Sequence, residues 1–235
     1  VPSITTFTVL NPDAGTGASL SDRAWFNIGA QGTLSFRWGA SDDDLKQATL
    51  ANVPGPGTPP TDGPTSLSYG WDWASGSMQE GTWSPRLTVQ DHSGLSNTST
   101  LFIGIDRTGP TIGSVTVGDG GAWQQSTEVT VSGLMTEADD GQGSGVASVD
   151  YALNGGAWTT TTSDAVDLTL TEGIHALTLR ATDRVGNTGA TSTVTVRVDQ
   201  TAPIGLSWSV DELTTSRVGA ANVSFSAEDA ASGID

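Results

Sequence analysis

The chain repeats one pattern at a spacing of 92 to 93 residues, and this repeat constrains the fold more than any other feature. EGTWSPRLTVQD at 80–91 aligns with EGIHALTLRATD at 172–183, so that Glu, Gly, Leu and Asp coincide. Each segment is followed by an alternating run that ends in Asp-x-Thr-x-Pro, at 106–110 and again at 199–203. A period of this length indicates that one small domain recurs along the chain.

The repeat predicts the domain boundaries. Repeat 1 runs over 1–108, repeat 2 over 109–201, and repeat 3 begins at 202 and reaches only 235. WFNIGAQGTLSFRWGASDD at 25–43 corresponds to WQQSTEVTVSGLMTEADD at 123–140 and to GAANVSFSAEDAASGID at 219–235. We expect repeat 3 to be incomplete, because so short a segment does not close a sandwich alone.

Composition and alternation predict an all-β fold class. Thirty Gly, ten Pro and abundant Thr, Ser and Val suit short strands joined by turns. Asn-Gly-Gly at 154–156 predicts a hairpin turn. In repeat 1, strands are predicted near 45–51 and 67–73, and the proline-rich stretch at 53–66 is predicted to be an extended surface loop. In repeat 2, period-two alternation predicts strands at 111–117, 127–133, 146–153, 157–161, 165–170, 174–182 and 190–199.

Repeat 2 resembles the bacterial immunoglobulin-like (Ig-like) repeats found in tandem in exported and cell-surface proteins. The resemblance rests on SGVASVDYALNGGAWTT at 144–160, EGIHALTLRATDRVGN at 172–187 and VRVDQTAP at 196–203. Repeat 1 lacks SGV and the Asn-Gly-Gly turn, and through YGWDWASGSMQEGTWSPRLTVQD at 69–91 it is also similar to the PKD type of Ig-like domain. The resemblance implies tandem immunoglobulin-like β-sandwich domains in an elongated array, with modules that space, display or adhere.

The charge of the chain restricts its partners. Twenty-six acidic and nine basic residues give a net charge of −17, which argues against binding to nucleic acid or to anionic membranes. No apolar run has the length of a membrane span. Clustered carboxylates suit hard cations, of which Ca²⁺ is the candidate cofactor.

The Ig-like topology brings some of these carboxylates together. The loop after the second strand and the loop before the last strand lie at the end where the chain enters a sandwich. This geometry predicts a calcium site at each of two domain junctions, with Asp106, Glu137, Asp139, Asp140 and Asp183 at the first and Asp199, Glu228 and Asp229 at the second. The alternative is that Asp183, with Gly186 and Asn187, forms a side-chain-capped turn and that the paired acids are solvated. A site at Asp42, Asp43 and Asp44 would be open or incomplete.

Catalytic chemistry is not expected. The chain has no Cys and two His, which leaves few candidates for a nucleophile and base. His175 follows Gly173 where Ig-like domains place a corner residue, so a packing role is expected there. His92 is expected to be a surface residue. The sequence therefore predicts that the chain is not an enzyme.

Tyr69, Trp71 and Trp73 alternate and so share one face of one strand. On the inner face they would be core, and on the outer face they would form a platform for carbohydrate rings.

Three functions follow from these patterns. The first is a non-catalytic structural or adhesive stalk segment of a large exported or cell-surface bacterial protein, stiffened at its domain junctions by calcium. The second is a polysaccharide-binding accessory region of a secreted hydrolase, and the third is a subunit of a self-assembling extracellular fibre. The partners expected are neighbouring Ig-like domains, surface glycans or a protein receptor, or like subunits, all in an extracellular or cell-surface location.

Overall fold

The structure is a computed structural model that describes residues 1–11, 16–18, 24–28, 33–53, 68–74, 80–210 and 222–233, with the backbone alone at 11, 16–18, 33 and 68–74. Every regular element in these ranges is a strand, and no helix occurs in them. The strands are β1 (Ser3–Asn11), β2 (Thr16–Ala18), β3 (Ala24–Phe26), β4 (Thr33–Ser41), β5 (Leu45–Ala51), β6 (Ser68–Ala74), β7 (Gly81–Trp83), β8 (Arg86–Asp91), β9 (Ser96–Thr100), β10 (Ile103–Ile105), β11 (Thr111–Ile112), β12 (Thr116–Val117), β13 (Glu128–Ser132), β14 (Ala138–Asp139), β15 (Val146–Leu153), β16 (Thr159–Thr161), β17 (Ala165–Thr169), β18 (Gly173–Asp183), β19 (Ser192–Val198), β20 (Ile204–Val210) and β21 (Val223–Glu228).

The chain divides into two compact units. The first unit includes two segments that belong to repeat 2 in the sequence. The first unit consists of Val1–Thr111, Ala138–Ser148 and Arg180–Ala190, and the second consists of Ile112–Glu137, Val149–Leu179 and Thr191–Asp235. The repeat boundaries, which come from sequence similarity, stay a prediction.

The first unit is a β-sandwich. Its sheets have the strand orders β2-β1-β4-β6, β3-β10-β7 and β5-β8-β9. One buried cluster draws side chains from all three sheets, for example Phe36 of β4, Leu50 of β5 and Ile103 of β10. Removal of each such side chain from water contributes about 1.5–3 kcal/mol, so this cluster is the main source of stability in the unit.

The second unit has its own core. The sheet β12-β13-β17 carries buried Val129 and Val131, and the sheet β16-β15-β18-β19 carries buried Leu177, Leu179 and Val196. The alternation of strand β18 explains this core, because His175, Leu177 and Leu179 are buried while the residues between them are more exposed. The all-β, β-sandwich fold class predicted from the sequence is confirmed. Two smaller two-stranded sheets, β11-β14 and β20-β21, accompany these.

The structure contains the strands predicted for repeat 2, with small changes in their bounds. The strand predicted at 111–117 is divided into β11 and β12, because β11 pairs with β14 whereas β12 pairs with β13. The Gly113 N–H donates to the Glu137 carbonyl at 2.8 Å, beside the β11–β14 pair. Strand β14 is absent from the prediction, since two residues are too few to show alternation.

The hairpin turn predicted at 154–156 is present. Asn154 and Gly155 have φ of 50° and 72°, the left-handed values that favour Asn and Gly. The Gly156 N–H donates to the Leu153 carbonyl at 2.9 Å and closes the turn.

The proline-rich stretch predicted as a loop lies, except for Val53, outside the described residues. In the part of the chain that is described, no helix has the length and hydropathy needed to cross a membrane.

Candidate functional site

Two strands carry an inward row of side chains that ends in an aspartate. In β8 the buried row is Leu87, Val89 and Asp91, and in β18 it ends with Ala181 and Asp183. A buried carboxylate needs hydrogen-bond donors, and the turn that follows each strand supplies them.

Asp183 is held by the turn before β19. Its Oδ1 accepts the N–H groups of Val185 and Asn187, both at 2.9 Å, and its Oδ2 accepts Asn187 Nδ2 at 2.7 Å. This is the side-chain-capped turn that the sequence offered as the alternative to a metal ligand. Three of about four lone-pair positions are used, which leaves one for another partner.

The first Asp-x-Thr sequence is the centre of a hydrogen-bond network, here called the first linker hub, formed by Glu80, Asp106, Thr108 and Ser144. Asp106 is only 3% exposed. Its Oδ1 accepts the Thr108 N–H at 3.3 Å and its Oδ2 accepts the Ser144 N–H at 2.7 Å. The Thr108 hydroxyl donates to the Glu80 carboxylate at 3.0–3.1 Å.

The second Asp-x-Thr sequence forms the same network, the second linker hub, from Glu172, Asp199, Thr201 and Ser232. Asp199 accepts the Thr201 N–H on Oδ1 and the Ser232 N–H on Oδ2, both at 3.0 Å. The Thr201 hydroxyl donates to the Glu172 carboxylate at 2.8–2.9 Å. Hydrogen bonds from Ser232 and from the Thr201 amide hold the pKa of Asp199 below its usual 3.8.

Three carboxylates meet beside the first hub. One oxygen from each of Asp106, Asp140 and Asp183 lies within 4.8 Å of the others, and these three residues are called the carboxylate cluster. Within the described part of the chain, no basic nitrogen forms an ion pair with any of them. Burial, and then the charges of Asp106 and Asp183, raise the pKa of Asp140. The cluster therefore concentrates negative charge that the described side chains do not neutralise.

The loop at 140–145 shapes this cluster. The Gly145 N–H donates to Asp140 Oδ2 at 2.6 Å. A Cβ on Gly143 would lie 2.5 Å from Asp140 Oδ2 and 2.8 Å from Asp106 Oδ2, so only glycine lets the loop come this close to both carboxylates. Ser144 is buried, and its hydroxyl has no hydrogen-bond partner among the described residues.

The donor set of the cluster fits Ca²⁺. Its ligand atoms are all oxygens and carry up to three negative charges, as suits a hard cation, whereas structural zinc sites are built mainly from Cys and His. Three carboxylates supply fewer than the six to eight oxygens that Ca²⁺ takes, so hydroxyl, carbonyl or water oxygens would complete the shell.

The other predicted metal ligands are placed differently. Glu137 and Asp139 do not belong to the carboxylate cluster. Asp139 is next to Asp140 in an extended segment, where consecutive side chains point to opposite sides, and its Oδ1 accepts the Gly141 N–H at 2.7 Å.

At the second hub, two of the three predicted ligands come together. Asp229 Oδ1 accepts the N–H groups of Ala231 and Ser232 at 3.0 and 3.1 Å, so Asp199 and Asp229 share the Ser232 donor. Glu228 ends β21 opposite Ile204. In the described residues, no third carboxylate joins this pair.

A second group of three carboxylates lies near the start of the chain. Asp42, Asp44 and Asp91 have ligand oxygens within 4.8 Å of one another, and Asp43 is not among them. The backbone nitrogen of Val1 lies 3.4 Å from Asp42 Oδ2.

The aromatic row lies on β6, whose backbone register is defined. Tyr69, Trp71 and Trp73 pair with Trp38, Phe36 and Leu34 of β4, respectively. Residues directly opposite in an antiparallel pair share a face, and the three β4 residues are buried. The register therefore places the three positions on the core face of the sheet, while their side chains lie outside the described residues.

Neither histidine has the surroundings of a catalytic base. His175 Nε2 donates to the Thr171 carbonyl at 2.8 Å, which leaves Nδ1 to accept Asn154 Nδ2 at 3.0 Å. The Asn154 orientation is fixed because its Oδ1 accepts the Ala176 N–H. His92 is exposed, and its backbone N–H donates to the Asp44 carbonyl. His175 thus ties the hairpin turn to β18.

The linker backbone touches the turn that holds Asp183. A Cβ on Gly109 would collide with the backbone of Thr188, and one on Gly189 would collide with the Pro110 carbonyl. Gly109 and Gly189 therefore allow the backbone of the linker and the backbone after the turn to lie in direct contact.

Sequence reasoning missed several residues of the two hubs. Glu80 and Glu172 recur at an offset of 92 residues, one less than the offset of Asp106 and Asp199, and that recurrence was the available signal. Ser144 and Ser232 contribute through backbone N–H groups, which any residue except proline carries.

Comparison with known proteins finds only distant structural similarity. No family model and no curated protein sequence matches the chain. Fibronectin(III)-like modules of Clostridium thermocellum CbhA are 13% identical, with 84% of this chain and 94% of that chain covered and a TM-score of 0.33. The D00-D0 domain of intimin is 13% identical over 82% of this chain and 97% of that chain, with a TM-score of 0.32. The sialic acid binding region of a Streptococcus sanguinis SK1 adhesin is 10% identical over 84% and 77%, with a TM-score of 0.26. Similarity this distant supports no statement about a ligand.

Proposed function

We propose that this chain is a non-catalytic structural or adhesive segment of an exported or cell-surface bacterial protein. The observation that carries the proposal is the linker hub, which is built twice from the same residue types. In each hub, one buried aspartate fastens the end of a strand to the loop that follows in the next repeat. Such fastening limits motion at the linker, which suits a module that spaces or displays a partner.

An exported, surface-bound location is the first part to test. An antibody raised against the purified chain should label intact cells of the organism that produces the protein, and external protease should remove the label. Labelling that appears only after the cells are permeabilised would contradict this location. A cytoplasmic protein labelled in parallel serves as the control for cell integrity.

The second part of the proposal is that Ca²⁺ binds the carboxylate cluster. Three carboxylates without a basic partner and a buried hydroxyl without a hydrogen-bond partner among the described residues support it. Burial, and then the charges of Asp106 and Asp183, raise the pKa of Asp140, and a divalent cation would offset both effects. It would also join the linker, the loop at 140–145 and the end of β18 through shared ligands.

Calorimetric titration and thermal unfolding test the calcium site. At a free Ca²⁺ concentration of about 100 times Kd, binding stabilises the folded state by about 2.7 kcal/mol, which raises Tm by roughly 5–10 °C. Asp140→Asn and Asp183→Asn should abolish both the heat and the rise in Tm. Asp229→Asn is the matched control, because Asp229 stands beside Asp199 without a third carboxylate, and it should leave both unchanged.

The two parts of the proposal fail separately. The absence of heat and of any change in Tm would remove the calcium site and leave the structural function. A calcium effect that Asp229→Asn abolishes as well would place the cation elsewhere.

A further inference from the structure

Asn27 of repeat 1 contacts the turn that holds Asp183. Its Nδ2 donates to Asn187 Oδ1 at 2.7 Å, and the same nitrogen lies 3.5 Å from the Val185 carbonyl oxygen. Asn27 and Asn187 are 160 positions apart in the sequence, yet both belong to the first compact unit. The contact therefore joins a residue of repeat 1 to a turn of repeat 2.

The orientation of both amides follows from the Asp183 carboxylate. An ionised carboxylate accepts hydrogen bonds and donates none, so Asn187 turns its Nδ2 toward Asp183 Oδ2, at 2.7 Å. The Asn187 Oδ1 then needs a donor, and the Asn27 amide supplies it. Asn27, Asn187 and Asp183 thus form a chain in which each side chain fixes the orientation of the next.

The strand pair β3-β10 fixes the position of Asn27 relative to Asp106. The two strands run parallel with Phe26 opposite Ile105, and the Asp106 N–H donates to the Phe26 carbonyl at 3.0 Å. Asn27 and Asp106 are the next residues along the two chains, so they leave the sheet side by side. Repeat 1 therefore reaches the carboxylate cluster by two routes, directly through Asp106 and indirectly through Asn27.

The two routes meet at Asp183. One of its carboxylate oxygens lies within 4.8 Å of an oxygen of Asp106, while Asn27 holds its Oδ2 through Asn187. Carboxylates that bind a metal are oriented by hydrogen bonds from residues outside the ligand shell, and loss of such a bond typically weakens metal binding by about 10- to 100-fold. Without Asn27, the Asn187 amide could turn and release the Asp183 carboxylate from this orientation.

Repeat 2 carries an amide side chain in the same place. Its Gln124 carbonyl accepts the Asp199 N–H at 2.9 Å, as the Phe26 carbonyl accepts that of Asp106, and the residue after Gln124 is Gln125. The position beside each linker hub thus has an amide group, which supports a role for the amide of Asn27.

We propose that Asn27 is a positioning residue for the calcium site: through Asn187, it holds Asp183 where its carboxylate can share a cation with Asp106 and Asp140. The inference rests on the calcium site proposed above and adds a residue that does not touch the cation. Because coupling between two contacts is reciprocal, Ca²⁺ should in turn strengthen the contact between Asn27 and the turn. Calcium then controls how firmly repeat 1 holds this turn of repeat 2.

Calorimetric titration of the whole chain with CaCl₂ tests the role of Asn27. Asn27→Ala should raise the Kd for Ca²⁺ by about 10- to 100-fold. Asn97→Ala is the matched control, because Asn97 is another exposed amide of repeat 1, whose Nδ2 donates to the Pro2 carbonyl at 3.2 Å. This control should leave the Kd unchanged. A cooperative urea unfolding transition in EDTA shows that each variant still folds.

A double-mutant cycle separates positioning from a general loss of stability. Since Asn27 acts through Asn187, Asn27→Ala should raise the Kd little or not at all in a chain that already carries Asn187→Ala. An equal rise in both backgrounds, or an unchanged Kd for Asn27→Ala alone, would overturn the inference and leave the calcium site in place. The absence of heat from the original chain would remove the calcium site, and the inference with it.

Discussion

The two linker hubs form the same hydrogen bonds but differ in the carboxylates around them. In each hub an aspartate accepts two backbone N–H groups, and a threonine two residues later donates to a glutamate. Asp106 also stands with Asp140 and Asp183, whereas Asp199 has only Asp229 beside it in the described residues. Because the hydrogen bonds recur without a third carboxylate, they do not depend on it. The Asp-x-Thr sequence therefore fastens the linker in both places, and the carboxylate cluster is an addition at the first.

The largest difference is expected when the central aspartates are removed. Asp106→Ala leaves the Thr108 and Ser144 N–H groups without their acceptor at a buried site, which lowers the free energy of unfolding by about 2–5 kcal/mol. Asp199→Ala should cost less, because the Ser232 N–H keeps Asp229 as an acceptor. Urea denaturation in EDTA measures both.

Asp106→Asn is the matched control for this comparison. The introduced amide oxygen still accepts one of the two N–H groups. The free energy of unfolding of Asp106→Asn should therefore lie between those of the original chain and Asp106→Ala. Equal losses for the two alanine variants would contradict the distinction between the hubs.

The pH dependence of stability should have opposite signs at Asp140 of the carboxylate cluster and at Asp199 of the second linker hub. Because the pKa of Asp140 is raised above 3.8, the stability that Asp140 contributes is fully present below pH 3.8 and is lost as the pH rises through its folded pKa. Because the pKa of Asp199 is lowered, its contribution is present above pH 3.8 and is lost as the pH falls through its folded pKa. In EDTA at pH 7, Asp140→Asn should therefore raise Tm and Asp199→Asn should lower it.

Calorimetric scans between pH 3 and 7 test this pair of signs. Asp140→Asn should approach the original chain as the pH falls below 3.8, where Asp140 is protonated in the folded and unfolded states alike, whereas the loss from Asp199→Asn should shrink only as the pH falls through the lowered pKa of folded Asp199. The same sign at pH 7 for both variants would show that repulsion in the carboxylate cluster does not control stability. Adding Ca²⁺ should reverse the effect of Asp140→Asn and leave that of Asp199→Asn unchanged.

The smallest effects, and the most similar ones, are expected at the threonines. Thr108→Val and Thr201→Val each remove one hydroxyl donor to an exposed glutamate, which costs about 0.5–1.5 kcal/mol. Thr→Ser at either position keeps the hydroxyl and should recover most of the loss in urea unfolding. A large effect at one hub alone would break the equivalence of the two.

Most of the fold was predictable because it depends on alternation. Strand β18 has an unbroken period of two, and its predicted range differs from the observed one by one residue at each end. The division between β11 and β12 was not predictable, since it depends on a change of partner strand from β14 to β13. Alternation reports which side chains face inward, but it does not report which strand the backbone pairs with.

The candidate site was predictable only in part. Loop positions in an Ig-like topology were enough to bring together Asp106, Asp140 and Asp183. Topology did not distinguish Asp140 from Asp139, because that choice depends on which way one side chain points in a two-residue strand. The role of Ser144 was also hidden, because its contact with Asp106 is made by the main chain.

The backbone contact between Gly109 and Gly189 has a consequence for exchanging repeats between proteins. The first linker is Thr-Gly-Pro and the second is Thr-Ala-Pro. An alanine at 109 would collide with Thr188, so the two linkers are not interchangeable cassettes. A linker of this kind must be transplanted together with the turn it touches. The absence of one methyl group at residue 109 thus restricts which repeats can follow each other.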